Sequence, residues 1–69
     1  MKEVVKRIVS EKEELDKKLD ALTSFIPTER FEGLSLHHQK LLLAQQATMT
    51  RYSDILTDRL ILIKAEGNK

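Results

Sequence analysis

Apolar residues recur at helical spacing in two stretches of similar length. In the first stretch the spacing alternates between four and three residues, and Lys12 takes one place in the series. The apolar members are Met1, Val5, Ile8, Leu15, Leu19, Leu22 and Ile26. This pattern is typical of a helix that packs along one stripe, as in a coiled coil, and predicts a helix over about residues 2–26. Lys12 must either extend out of the stripe or meet an acidic group across the interface.

The second stretch runs from Leu36 to Ile63 without a glycine or proline. One stripe consists of Leu42, Met49, Tyr52, Leu56, Leu60 and Ile63. Further apolar side chains lie off that stripe, namely Leu41, Leu43, Ala44, Ala47 and Ile55. The pattern predicts a long helix over about residues 36–64 that is apolar on more than one side, and the remaining residues 65–69 are expected to form a frayed tail.

The connection, residues 27–35, holds the only proline and the first of two glycines. Pro27 ends the first helix, because the residue before a proline is pushed out of the helical region. Thr28 can cap a single helical turn that Gly33 ends, and Ser35 is placed to cap the second helix. Helices of similar length joined by a short connection fold back on each other. The predicted fold is all-α, a single-domain antiparallel two-helix hairpin with a short helical turn in the connection.

The small size of the chain favours self-association. A single core of 69 residues gives only marginal stability. The chain has no cysteine, so neither a disulfide nor a thiolate zinc site can stabilise it. Residues 60–63 are apolar all round, which a two-helix hairpin cannot bury. We therefore expect the hairpin to assemble into a homo-oligomer.

The charge balance excludes several classes of partner. Twelve basic and eleven acidic residues leave a net charge of +1, which argues against general electrostatic binding of DNA or RNA. No apolar run approaches the ~20 residues of a membrane span, and the start of the chain lacks the apolar core of a signal peptide. We expect a cytoplasmic protein with no membrane, DNA or RNA partner.

Candidate catalytic groups are sparse. His37 and His38 are adjacent and point ~100° apart on a helix, so they are interpreted as solvent-exposed or interface residues and not as metal ligands. Asp54 and Asp58 share a face that could hold a cation or act as an acid and base pair, but Arg51 beside them favours a surface ion-pair ladder. No phosphate-binding loop or hydrolase motif occurs. We expect no enzymatic activity, metal or cofactor.

The second helix also carries neutral hydrogen-bonding side chains at spacings of four, three and four. These are Gln46, Thr50, Ser53 and Thr57, with Thr48 nearby. Such a strip can face another helix or a polar ligand between subunits. Groups suited to phosphate pairing and base stacking lie close to it. The candidate ligand-binding residues are Lys40, Thr48, Arg51, Tyr52, Ser53 and Arg59. Tyr52 is alternatively a core residue with its hydroxyl at the edge.

Two segments carry a family resemblance. Residues 11–16 read E-K-E-E-L-D, and residues 52–59 read Y-S-D-I-L-T-D-R. With the apolar positions between them, they resemble a family of small phage-encoded helical hairpins noted in crAss-like and other tailed phages and in prophages. The resemblance covers nearly the whole chain and implies the hairpin fold, but it transfers no ligand residues. By architectural analogy, the chain is also similar to ring-forming phage proteins that sequester cyclic nucleotide signals of bacterial immunity.

These features lead to two hypotheses of function. In the first, a homo-oligomeric phage counter-defence protein binds a nucleotide messenger between its subunits in the host cytoplasm without cleaving it. Lys40, Arg51 and Arg59 would contact phosphate, Tyr52 would stack on a base, and Thr48 or Ser53 would complete the hydrogen bonds. In the alternative, the apolar second helix docks on a host or phage protein. A basic crevice between subunits favours the first hypothesis, and a flat apolar face with Tyr52 buried favours the second.

Overall fold

The computed structural model describes residues 2–67, which form three helices with short connections and contain no strand. Helix α1 spans Lys2–Phe25, α2 spans Glu29–Glu32 and α3 spans Leu36–Gly67. Helices α1 and α3 run antiparallel, since side-chain hydrogen bonds join residue 16 to residue 53 and residue 23 to residue 46. The molecule is a rod of 53 × 15 × 14 Å. The predicted all-α fold with two long helices packed together is confirmed.

The ends of the long helices differ slightly from the expected ones. Helix α1 ends at Phe25, although the N–H of Ile26 still donates to the carbonyl of Leu22 at 3.1 Å. Helix α3 continues to Gly67, through residues where a frayed tail was expected. Ala65 and Glu66 are good helix formers, so nothing ends the helix before the glycine. Met1 and residues 68–69 lie outside the described residues, and their expected roles stay predictions.

The turn after α1 is held by Thr28. Its hydroxyl accepts from the N–H of Phe31 at 3.3 Å and donates to the carbonyl of Phe25 at 2.6 Å. Gly33 ends α2, and its N–H donates to the carbonyl of Glu29 at 2.9 Å. Phe31 is buried and packs edge-on against Phe25, with ring centroids 6.1 Å apart. The predicted capped turn is present, and its aromatic pair closes this end of the hairpin.

The start of α3 is tied to the connection by polar side chains. The Ser35 hydroxyl accepts from the N–H of His38 at 3.1 Å, which confirms the predicted N-cap. The Gln39 side-chain amide donates to the carbonyls of Leu34 and Glu32 at 2.9 and 3.2 Å. These bonds fix the angle at which α3 leaves the turn.

Helices α1 and α3 meet along two heptad series. The α1 series is Val5, Ile8, Lys12, Leu15, Leu19, Leu22 and Ile26. The α3 series, named the inner seam, is Leu42, Gln46, Met49, Ser53, Leu56, Leu60 and Ile63. Every member of both series is at least partly buried, and Leu56 has no exposed surface. The series predicted for α1 is confirmed from Val5 onward.

The stripe predicted for α3 is wrong at one position. Tyr52 is 39% exposed, and Ser53 takes the inward place with 8% of its surface exposed. The spacing of the inner seam alternates between four and three residues and includes residue 53. Tyr52 points about 100° away from that seam. The interpretation of Tyr52 as a core residue of the hairpin is therefore wrong.

Leu56→Ala should lower the free energy of unfolding by about 2–5 kcal/mol, because it opens a cavity at a fully buried position. The matched control is Leu36→Ala at the exposed start of the same helix, which should change it by no more than about 0.5 kcal/mol. Urea denaturation followed by circular dichroism measures both. Equal losses in the two variants would contradict the assignment of the core.

Candidate ligand-binding face of α3

A polar cluster joins α1 and α3 at the middle of the hairpin. The Lys12 ammonium donates to the Asp16 carboxylate at 2.6 Å and to the Ser53 hydroxyl at 3.2 Å. The Ser53 hydroxyl donates to the other Asp16 oxygen at 2.6 Å. These hydrogen bonds, first from Lys12 and then from Ser53, lower the pKa of Asp16. Lys12 thus meets an acid one turn away on its own helix and not across the interface, where an acid was expected; its partner across the interface is the Ser53 hydroxyl.

This cluster determines the role of Ser53, one of the candidate ligand-binding residues. Its hydroxyl is buried and bonded to α1. Gln46 also faces α1, where its side-chain amide donates to the hydroxyl of Thr23 at 3.1 Å. The Thr50 and Thr57 hydroxyls donate to backbone carbonyls one turn earlier in α3. The neutral strip was expected to face either another helix or a polar ligand between subunits. Gln46 and Ser53 face another helix.

A second heptad series lies on the exposed side of α3. This outer seam is Leu41, Gln45, Thr48, Tyr52, Ile55, Arg59 and Leu62. Each member precedes a member of the inner seam by one residue, so the outer seam is turned about 100° around the helix. All seven side chains are exposed, Leu62 by 58%. The seven-residue spacing from Leu41 to Leu62 is the sequence signal for this seam, which the single stripe predicted for α3 does not include.

Three candidate ligand-binding residues share the outer seam. Thr48, Tyr52 and Arg59 place a hydroxyl, an aromatic ring and a guanidinium along one exposed line, with the ring about 6 Å from the first and about 10 Å from the last along the axis. Lys40 and Arg51 are exposed on the adjoining face, three turns apart. The structure therefore groups five of the six candidates on the outside of α3 and separates Ser53 from them.

The charged groups beside the outer seam are not paired within the hairpin. Within residues 2–67 the one ion pair is that of Lys12 with Asp16. The expected ladder of Arg51 with Asp54 and Asp58 is therefore wrong. All three side chains are exposed, and an ion pair between exposed side chains is worth little against water. Their charges remain available to a ligand or to another molecule.

The two histidines of the chain do not join a metal site among the described residues. His37 and His38 are exposed in the first turn of α3. In residues 2–67 no three histidine or carboxylate side chains converge, and no cavity is enclosed. None of the described helices has an apolar stretch long enough to cross a bilayer.

Comparison with known proteins identifies the family. The family model described as Sequestin matches residues 2–62, which include α1, α2 and α3 as far as the last residue of the outer seam. The chain belongs to the Sequestin family. Neither a curated protein nor a solved structure matches it. The family name indicates a sequestering role, which is a binding function and not a catalytic one.

Asp16→Asn should reduce the loss of folding stability that occurs as the pH is lowered. The pKa of Asp16 is lowered in the folded state, so the stabilisation from its carboxylate is present above the unfolded value of 3.8 and is lost as the pH falls through the lowered pKa. Melting temperatures measured from about pH 5 to about pH 2 should fall more steeply for the wild type than for this variant.

The control for the Asp16 experiment is Asp20→Asn, which removes an exposed carboxyl one turn further along the same helix. It should keep the steep decline of the wild type. An Asp16→Asn curve that runs parallel to the wild-type curve would show that the cluster does not couple folding to pH.

Proposed function

We propose that this member of the Sequestin family is a phage counter-defence protein. It sequesters a nucleotide immune messenger between the subunits of a homo-oligomer and does not cleave it. The observation that carries the proposal is the exposed line of Thr48, Tyr52 and Arg59 on the outer seam, flanked by Lys40 and Arg51. The family name supports sequestration as the general role.

The chemistry of these side chains suits a nucleotide. An exposed tyrosine ring offers a face on which a base stacks, and the guanidinium of Arg59 pairs with phosphate oxygens in a bidentate manner. The Thr48 hydroxyl supplies one further hydrogen bond. Lys40 and Arg51 add positive charge on the adjoining face, which favours an anionic ligand although the whole chain is nearly neutral.

The site requires a second subunit. The candidate residues lie on the convex outer surface of one helix, whereas small ligands bind in concave sites that surround most of their surface. A second copy placed against the outer seam would supply the opposite wall. Ligand binding and self-association are therefore coupled in this proposal.

The alternative function is docking on a host or phage protein, and one observation favours it. The outside of α3 exposes large apolar side chains on both sides of the helix, among them Leu36, Leu41, Leu43, Ile61 and Leu62. Such a surface is typical of a helix that lies in the groove of a partner. Sequestration of a protein would also agree with the family name.

Arg59→Ala should weaken nucleotide binding by about 1.5–3 kcal/mol, the range for a hydrogen bond to a charged group, and leave the helix content unchanged. Isothermal titration calorimetry against a panel of cyclic di- and trinucleotides first identifies the messenger that the wild type binds. The variant is then titrated with that messenger.

The matched control is Arg7→Ala, which removes an exposed guanidinium from α1 and should bind as the wild type does. Equal binding by the Arg59 variant and the wild type would remove the outer seam from the site. No heat and no thermal shift with any nucleotide would contradict the nucleotide proposal and favour a protein as the sequestered partner.

A further inference from the structure

The outer seam has the pattern of a coiled-coil surface whose partner helix is missing from the hairpin. Its spacings repeat those of the inner seam without interruption over three heptads, and all its side chains are exposed. Helix α1 offers no such second series, because the positions beside its buried stripe are mostly charged, as at Lys6, Glu13 and Asp20. A continuous seam of this kind fits a helix of equal length and the same period.

A second copy of α3 is such a helix, and the charges determine its direction. In a parallel pair in register, each seam residue meets its own copy, so Arg59 would pack against Arg59 within the seam, one position from its C-terminal end. The outer seam consists of two alternating sets, one of Leu41, Thr48, Ile55 and Leu62 and one of Gln45, Tyr52 and Arg59. In an antiparallel pair, a residue of one set meets a residue of the other set. Arg59 then packs beside Leu41, Thr48, Ile55 or Leu62 of the second copy, depending on the register, and the like charges separate.

The charges also select one antiparallel register. Arg51 and Asp58 lie seven residues apart on the flank of the outer seam, and in antiparallel pairs equivalent flanks face each other. In one register Arg51 faces Arg51 of the second copy. In another register, in which the numbers of two facing residues add up to a value two heptads larger, Asp58 faces Asp58 of the second copy. The register between them pairs Arg51 with Asp58 of the second copy, twice by symmetry. It also places one face of the Tyr52 ring against Ile55 of the second copy at the centre, so that the other face is left for the base of the nucleotide.

We propose that the outer seam of α3 binds the outer seam of a second copy in this antiparallel register. The pairing opposes Gln45 to Leu62, Thr48 to Arg59 and Tyr52 to Ile55. It is isologous, so each contact occurs twice about a two-fold axis. The proposal rests on the proposed function in that it defines the subunit boundary at which the nucleotide binds. Thr48 and Arg59 from different copies then meet at each of two equivalent sites.

Cysteine crosslinking tests the register. The chain has no cysteine, so Gln45→Cys and Leu62→Cys each introduce a single thiol at an exposed position. Mixed in equal amounts and oxidised, they should give a disulfide-linked dimer containing one chain of each kind, resolved by mass spectrometry. Either variant alone should give little dimer, because its two thiols lie at opposite ends of the paired helices.

The matched control is Leu43→Cys mixed with Leu62→Cys, since Leu43 is an exposed leucine on another face of α3. Dimers of Leu62→Cys alone would indicate a parallel pair and overturn the proposal. Crosslinking no stronger than that of the Leu43 mixture would exclude the outer seam as a self-association surface.

Charge reversal separates this proposal from the nucleotide proposal. Arg51→Asp or Asp58→Arg alone should weaken self-association about tenfold, because each places like charges together twice. The double variant should recover wild-type self-association while it keeps Arg51 absent from any phosphate site. Recovered pairing without nucleotide binding would uphold the interface and place Arg51 at the ligand. Failure of the double variant to recover would contradict the register, whatever its nucleotide binding.

Discussion

The structure depends on one constraint: α3 has apolar positions in two heptad registers one residue apart, and α1 covers only one of them. The inner seam buries Leu56 completely, while Ile55, next to it in sequence, is 39% exposed on the outer seam. A helix with two such seams about 100° apart is suited to two neighbours at once. The hairpin supplies the first neighbour, and the second is the basis of the proposed function.

The polar cluster of Lys12, Asp16 and Ser53 gives the hairpin its alignment. A lysine and a serine occupy seam positions where apolar residues are usual, and Asp16 accepts hydrogen bonds from both. Sliding α3 by one heptad along α1 would remove Ser53 from Asp16, so the cluster disfavours other alignments of the two helices. With Ser53 fixed inside, Tyr52 points outward. The internal alignment thereby determines which residues reach the candidate ligand-binding face.

The helices and their caps could be predicted from sequence because their signals are local. Thr28, Gly33 and Ser35 act on neighbouring backbone groups, and the α1 stripe is interrupted only at Lys12. The inward face of α3 could not be assigned in the same way, because both registers contain apolar residues. Tyr52 is more hydrophobic than Ser53, although the strict alternation of four and three residues includes Ser53, and the hydrogen bonds between Ser53 and the opposite helix hold it in the inward place. The division of the candidate residues between packing and ligand binding follows from that tertiary contact.

The most direct test of this account is to measure the mass of the unmodified protein in solution and to compare it with the mass of a variant that carries one charge on the outer seam. Sedimentation equilibrium at micromolar concentration should give at least twice the chain mass of 8.0 kDa for the wild type. Ile55→Glu should give a helical monomer, because it places a charge on the seam without touching the hairpin core. A wild type that stays at 8.0 kDa across the concentration range would contradict the central claim that the second seam of α3 binds another copy of the chain.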